Sequence, residues 1–272
     1  MQSTLKKQPK SSFLMNVSHS LEEIETAKTH VVAEIGKKTK LPGFRPGHVP
    51  ADLLLNSVDQ NFLNSEVMKH LINASYPDLM KEHERIPICQ PKVTVTKWVP
   101  FTDLEYTVEI AEKPEVVIGD YKSEIRKQAN KIIGENSQEE ILNCILNTTK
   151  IELPELLVEE EKNRMLGRLY DQISGMGITM DQYLESKEFK PEDLETEYKA
   201  LAEKTLKAEL AFAEIVTKEG ITVTDEEIEA TIAANPDETS RKAFADPANR
   251  WYIVSVIQRQ KLLENLFEIA SS

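Results

Sequence analysis

Glycine is scarce in this 272-residue chain, nine in all, and no glycine-rich phosphate loop can be assembled from them. Cysteine is scarcer still. Cys89 and Cys144 stand 55 positions apart without metal-ligand or redox spacing, which excludes a disulfide framework and fits reduced, structural thiols. Long apolar runs are missing too: the longest, "WYIVSVI" at 251–257, is far below the ~20 residues of a membrane span. The opening "MQSTLKKQPKSS" has no apolar core of a secretion signal, so a cytoplasmic protein without a membrane partner is expected. A basic excess is also absent. The formal charge of -13 argues against broad binding to nucleic acid or anionic lipid, so any contact with RNA must be local.

The signatures of catalysis are absent from the same list. There is no zinc-spaced histidine pair and no nucleophile elbow, and His19, His30, His48, His70 and His83 are scattered over positions that read as surface. His83, in "KEHER", reads as a solvated histidine on a charged helix end. The acidic run "VEEEK" at 158–162 reads as a solvated face near a helix N-terminus, since adjacent carboxylates on a helix point in different directions. No catalytic residue, metal or cofactor is expected.

What is present is a composition that is 40% hydrophobic, enough to bury a core, in about two domains' length of chain. The first part mixes types. "SSFLMNVS" at 11–18 predicts a strand, and the following segment carries Ile24, Ala27, Val31, Val32 and Ile35 at helical spacing behind a Ser20/Glu23 capping box. That helix should end near Lys40, ahead of Pro42 and Gly43. A short helix opens after Pro50, a longer one runs through 62–83 with Pro77 as a kink or break, and runs at 92–99 and 104–112 predict a hairpin. A stretch with Pro114 and Gly119 and no helical period then marks a boundary.

Beyond residue 121 the pattern is helical. Helices are predicted around 137–149, from Pro154 to Gly175 or Gly177, from Pro191 to Gly220, after a Thr224/Glu227 capping box, and from about Pro247 to Ala270. In the Pro191 helix the expected stripe is Leu194, Tyr198, Leu201, Thr205, Ala208, Phe212 and Ile215. The last helix is apolar nearly all round in its first half, which predicts the buried centre of this part. Met165, Met176 and Met180, with Leu169 on the same helix as Met165, are candidate apolar contacts for another chain, although core packing is the commoner use of such residues.

One segment is atypical: "LPGFRPGHVP" at 41–50. From Lys37 to Pro50 the chain carries Lys37, Lys38, Lys40 and Arg45 and no acid, a local +4 against -17 for the remainder. Pro46 biases Arg45 to an extended conformation that throws Phe44 and Arg45 to opposite sides, while Gly43 and Gly47 permit tight turns on either flank. A stiff tip loses little entropy on docking, and an aromatic with an arginine is a hot-spot pairing. On the prolines alone, a plain helix-loop-helix connector is the stronger account.

"GFRPGHVP" at 43–50 resembles the signature loop of bacterial trigger factor, the ribosome-associated chaperone. "YTVEIAEKPEVVIGDY" at 106–121 is similar to the end of that family's ribosome-binding domain, and "IELPELLVEEEKNRML" onward to its helical chaperone domain. The resemblance implies an α+β ribosome-binding domain over 1–113, a linker over 114–136, and an all-α chaperone domain of long helices with arm-like extensions over 137–272. It implies that Gly43, Phe44, Arg45, Pro46 and Gly47, helped by Lys37, Lys38 and Lys40, dock beside the nascent-chain exit tunnel on a ribosomal protein and rRNA of the large subunit. Nascent or unfolded polypeptides would be the clients, and such proteins often form homodimers when free. Many members carry lysine where this chain has Pro46 or His48, and the family's FK506-binding-type prolyl isomerase domain has no room after residue 121. An ATP-independent holdase without isomerase activity is therefore expected; a periplasmic-type helical chaperone and an isomerase with an unrecognised site are the alternatives.

Overall fold

A computed structural model describes residues 1–39, 44, 50–132 and 137–271, and it divides into two compact units. The first comprises Met1–Lys113 with Pro154–Glu160. Its sheet has the order β1-β2-β4-β3, formed by β1 (Gln2–Gln8), β2 (Ser12–His19), β3 (Lys92–Val99) and β4 (Asp103–Ala111), with every neighbouring pair antiparallel. Alternation decides the faces. Phe13, Met15 and Val17 of β2 and Leu104, Tyr106, Val108 and Ile110 of β4 point one way into the core, and the residues between them point out.

Three helices cover that apolar face: α1 (Leu21–Lys38), α2 (Ala51–Ser57) and α3 (Gln60–Glu82). The Ser20/Glu23 capping box forms as expected and starts α1, whose buried stripe is Ile24, Ala27, Val31 and Val32. α3 does not break at Pro77. A helix-interior proline costs about 3 kcal/mol. Leu63, Val67, Leu71 and Leu79, buried along one face of α3, each contribute about 1.5–3 kcal/mol, so packing outweighs the proline. Pro77 has no N–H to give the Asn73 carbonyl one turn earlier.

The sequence did not signal β1. Its turn is the three-residue loop Pro9–Ser11 between Gln8 and Ser12, which places Lys10 and Ser11 at φ 56° and 53° and is built without the Asn-Gly or Asp-Gly pair that normally advertises a hairpin.

The second unit is Pro114–Leu153 with Glu161–Ser272. It is helix-rich, but not purely α: β5 (Val116–Ile118) pairs antiparallel with β6 (Thr149–Ile151). The stretch expected to be a linker also folds. β5, α4 (Tyr121–Lys127) and α5 (Ala129–Ile132) lie within it, and Tyr121, Ile125 and Ile132 enter the core built with α6 (Ser137–Thr148), α9 (Pro191–Lys218) and α12 (Arg250–Ser271). A smaller cluster joins α7 (Glu155–Gly175), α8 (Met180–Lys187) and the start of α9 through Leu166, Leu169, Ile173, Leu184 and Leu194. A third joins α10 (Asp225–Ala234) to the first half of α12 through Ile228, Ile232, Ile253 and Ile257, with Phe244 of α11 (Glu238–Ala245) against it.

Serving two cores changes the stripe of α9. Leu194 and Tyr198 serve the small cluster and Ala208, Phe212 and Ile215 the large one, while between them Ala202 and Leu206 are buried and Leu201 is exposed. α12 also differs from expectation. Its second half supplies Leu262, Leu266 and Ala270 to the large core, whereas Trp251 is 70% exposed and Tyr252 and Val256 are exposed beside it. The run "WYIVSVI" buries only its Ile253/Ile257 edge.

Candidate functional site

The site expected from sequence lies between α1 and α2. Lys37 and Lys38 occupy the last turn of α1, both exposed, where cations suit the negative end of the helix. Phe44 is 40% exposed. Gly43, Arg45, Pro46, Gly47 and Lys40 lie outside the described residues. Gly36 brings the two helices close: a Cβ there would sit 2.7 Å from Cδ1 of Leu54 in α2.

The adjoining ends of α1 and α3 enclose a groove of about 480 Å³, with Val31 and Ile35 at its base and Phe62, Glu66, Lys69, His70 and Asn73 along the α3 side. The rings of His30 and His70 stack across the two helices with centroids 4.7 Å apart. Lys69 is bound to Glu66 on its own helix at 2.9 Å.

Deeper in the same unit is a polar chain that sequence reading missed, since His19 was placed at the surface. His19 is buried. Its Nδ1 lies 3.3 Å from the Glu23 carboxylate and its Nε2 3.3 Å from the Tyr106 hydroxyl, which in turn lies 2.6 Å from Ser75 Oγ. Glu23 also receives the amino group of Met1. Burial lowers the His19 pKa against the pull of Glu23. For Glu23, burial pushes upward, but hydrogen bonds from the Met1 amine and the Ser20 N–H, with the nearby positive charge, bring it to about 2. The alternation of β2 could have flagged His19, because it falls on the inward-facing parity of Phe13, Met15 and Val17.

The four apolar candidates of the second unit are not equivalent. Leu169, at 8% exposure, is a core residue. Met180 is half-buried against the same cluster, Met165 is half-buried, and Met176 is 58% exposed. Tyr170 and Ile178 are exposed in the same part of the chain. The aromatic group Phe244, Trp251 and Tyr252 was not foreseen as surface: Phe244 and Tyr252 stack at 5.6 Å, and Trp251 meets Tyr252 edge-on at 6.1 Å.

The acidic run likewise departs from a fully solvated face, because Glu161 and Lys162 are buried, Glu161 bound to Arg164 and Lys162 to Glu195 at 2.7 Å. Among the described residues no group of three or more His, Cys, Asp or Glu could hold a metal ion. No described helix is long and apolar enough to cross a membrane.

A small α+β unit followed by a helix-rich unit is a fold already seen. A solved structure from work on promiscuous substrate recognition by the trigger factor chaperone matches with a TM-score of 0.72 over 99% of this chain and 100% of that one, at 15% identity. The sequence matches reach further than the fold. The family model described as "Bacterial trigger factor protein (TF)" matches residues 1–145, and its C-terminal counterpart matches residues 117–268. The chain belongs to the bacterial trigger factor family.

Relatives include the trigger factor of Rhodospirillum centenum, 39% identical over 94 residues, which span 35% of this chain and 21% of that one. That of Natranaerobius thermophilus is 28% identical over 142 residues, 52% of this chain and 32% of that one. That of Finegoldia magna is 25% identical over 251 residues, 86% of this chain and 53% of its own length. The chain thus spans about half, or less, of the curated relatives it matches.

Proposed function

We propose that this protein is an ATP-independent, ribosome-associated chaperone of the cytoplasm. In this reading the 43–50 loop docks beside the nascent-chain exit tunnel, and the helical unit shields apolar segments of newly made proteins. The carrying observation is an exposed Phe44 beyond a helix whose last turn presents Lys37 and Lys38.

Charge distribution supports a local tether. Residues 1–113 hold fourteen acidic and fourteen Lys or Arg side chains, so the whole formal charge of -13 falls on 114–272. A neutral first unit with a cationic loop approaches a polyanion at that loop, while the acidic remainder is repelled. Arg45 would supply a bidentate contact to phosphate or carboxylate and Phe44 the apolar one.

For client binding, Met176, Ile178, Tyr170, Trp251 and Tyr252 offer exposed apolar side chains. Methionine adapts to varied partners, which suits a binder of many sequences. No isomerase activity is assigned: the two family matches overlap over 117–145, and the described residues of that overlap belong largely to β5, α4, α5 and α6, which supports a reading without an inserted domain there.

Sedimentation with purified 70S ribosomes tests the docking claim. Replacing Phe44, Arg45 and Pro46 together by Ala should abolish co-sedimentation, and unchanged binding would sink it.

A further inference from the structure

We propose that the groove between α1 and α3 is a second contact for the ribosomal surface, and that its occupant is a protein segment rather than RNA. This rests on the docking reading above. The groove reaches the last turn of α1, where its lining includes Lys38, one of the lysines assigned to docking above.

Its chemistry selects the occupant. The base is aliphatic, from Val31 and Ile35, and Phe62, 51% exposed, stands on the α3 side. A half-exposed aromatic over an aliphatic base with a charged rim has the anatomy of a protein interface. The rim charges balance, Glu34 and Glu66 against Lys38 and Lys69. RNA would bring its phosphates against two carboxylates, whereas a protein segment can answer each sign.

Two rim charges are available for that purpose. Lys69 and Glu66 satisfy one another, but Glu34 and Lys38, one helical turn apart on α1, have no ion-pair partner among the described residues. The fitting segment therefore presents an apolar side chain to Phe62 and Ile35, flanked by a basic group for Glu34 and an acidic one for Lys38.

The test uses the full chain with benzoylphenylalanine at position 62, purified large ribosomal subunits, and the loop variant as a control. Photolysis should give an adduct to a ribosomal protein that is resistant to ribonuclease and disappears when Phe44 and Arg45 are replaced. In equilibrium binding, Phe62→Ser should weaken affinity about tenfold and Glu34→Lys about threefold or more. An RNA adduct, or tighter binding by Glu34→Lys, overturns the proposal in favour of phosphate contact. Full affinity in both groove variants, with binding still lost in the loop variant, overturns it while leaving the tether intact. No binding by the unaltered chain overturns both. Phe62 and Glu34 are exposed, so thermal unfolding of either variant should match the parent, which separates lost contact from lost fold.

Discussion

The hydroxyl of Tyr106 on β4 lies 2.6 Å from Oγ of Ser75 on α3, both side chains buried. Ser75 is also bonded to the Leu71 carbonyl at 2.7 Å, and the same phenol meets His19 at 3.3 Å, so one oxygen ties the sheet to α3 and to the end of β2. Tyr106→Phe keeps the ring but leaves His19 Nε2 short of a partner. A loss of about 1–3 kcal/mol is expected in urea unfolding. A cost near zero would mean that solvent reaches this chain.

Acid should loosen the first unit in two stages. His19 is held neutral, with its folded pKa below the ordinary value of about 6.5, so its contribution is full above that value and is lost as pH falls through it. Glu23 is depressed from 4.5 to about 2, so its contribution is present above 4.5 and is lost between 4.5 and 2. Thermal unfolding followed from pH 8 to pH 3 should show both slopes, and His19→Gln should flatten only the upper one. A slope of the opposite sign between pH 7 and 5 would refute the assignment.

Gly119 marks a close approach in the second unit. Its N–H donates to the Thr148 carbonyl at 3.0 Å, and a Cβ at this position would fall 2.6 Å from that oxygen. The obstacle is backbone, so it cannot swing aside. Gly119→Ala should destabilise by about 1–3 kcal/mol. Gly175→Ala, with nothing within 4 Å of the added carbon, is the control and should be near neutral.

Met176 separates client contact from stability because it is exposed, whereas Leu169 is core. Met176→Glu should leave the unfolding midpoint within about 0.5 kcal/mol of the parent while weakening suppression of client aggregation about threefold to tenfold. Leu169→Ala should do the reverse in the first measure, losing about 2–5 kcal/mol. Equal suppression by parent and Met176→Glu would remove Met176 from the client surface.

Much of this was legible along the chain. Local chemistry wrote it: the Ser20/Glu23 and Thr224/Glu227 capping boxes, Pro191 at a helix start, and the β3–β4 hairpin all need only near neighbours to form. The cationic, proline-rich loop after α1 is visible for the same reason, since charge and proline stiffness belong to the segment itself.

Other features depended on distant partners. Pro77 stays inside α3 because the sheet rewards an unbroken apolar face. His19 is buried because Tyr106, 87 positions away, supplies its partner. Leu201 is exposed because α9 turns from one core to another along its length, and Trp251 because only one edge of α12 meets α10. The groove between α1 and α3 exists only once those two helices are side by side. Sequence by itself determined where the helices with a capping box or a leading proline start, which segment is cationic and to which family the pattern belongs. Tertiary packing decided which apolar residues are core and which remain for another chain, because burial is a property of pairs of surfaces and not of a residue's own chemistry.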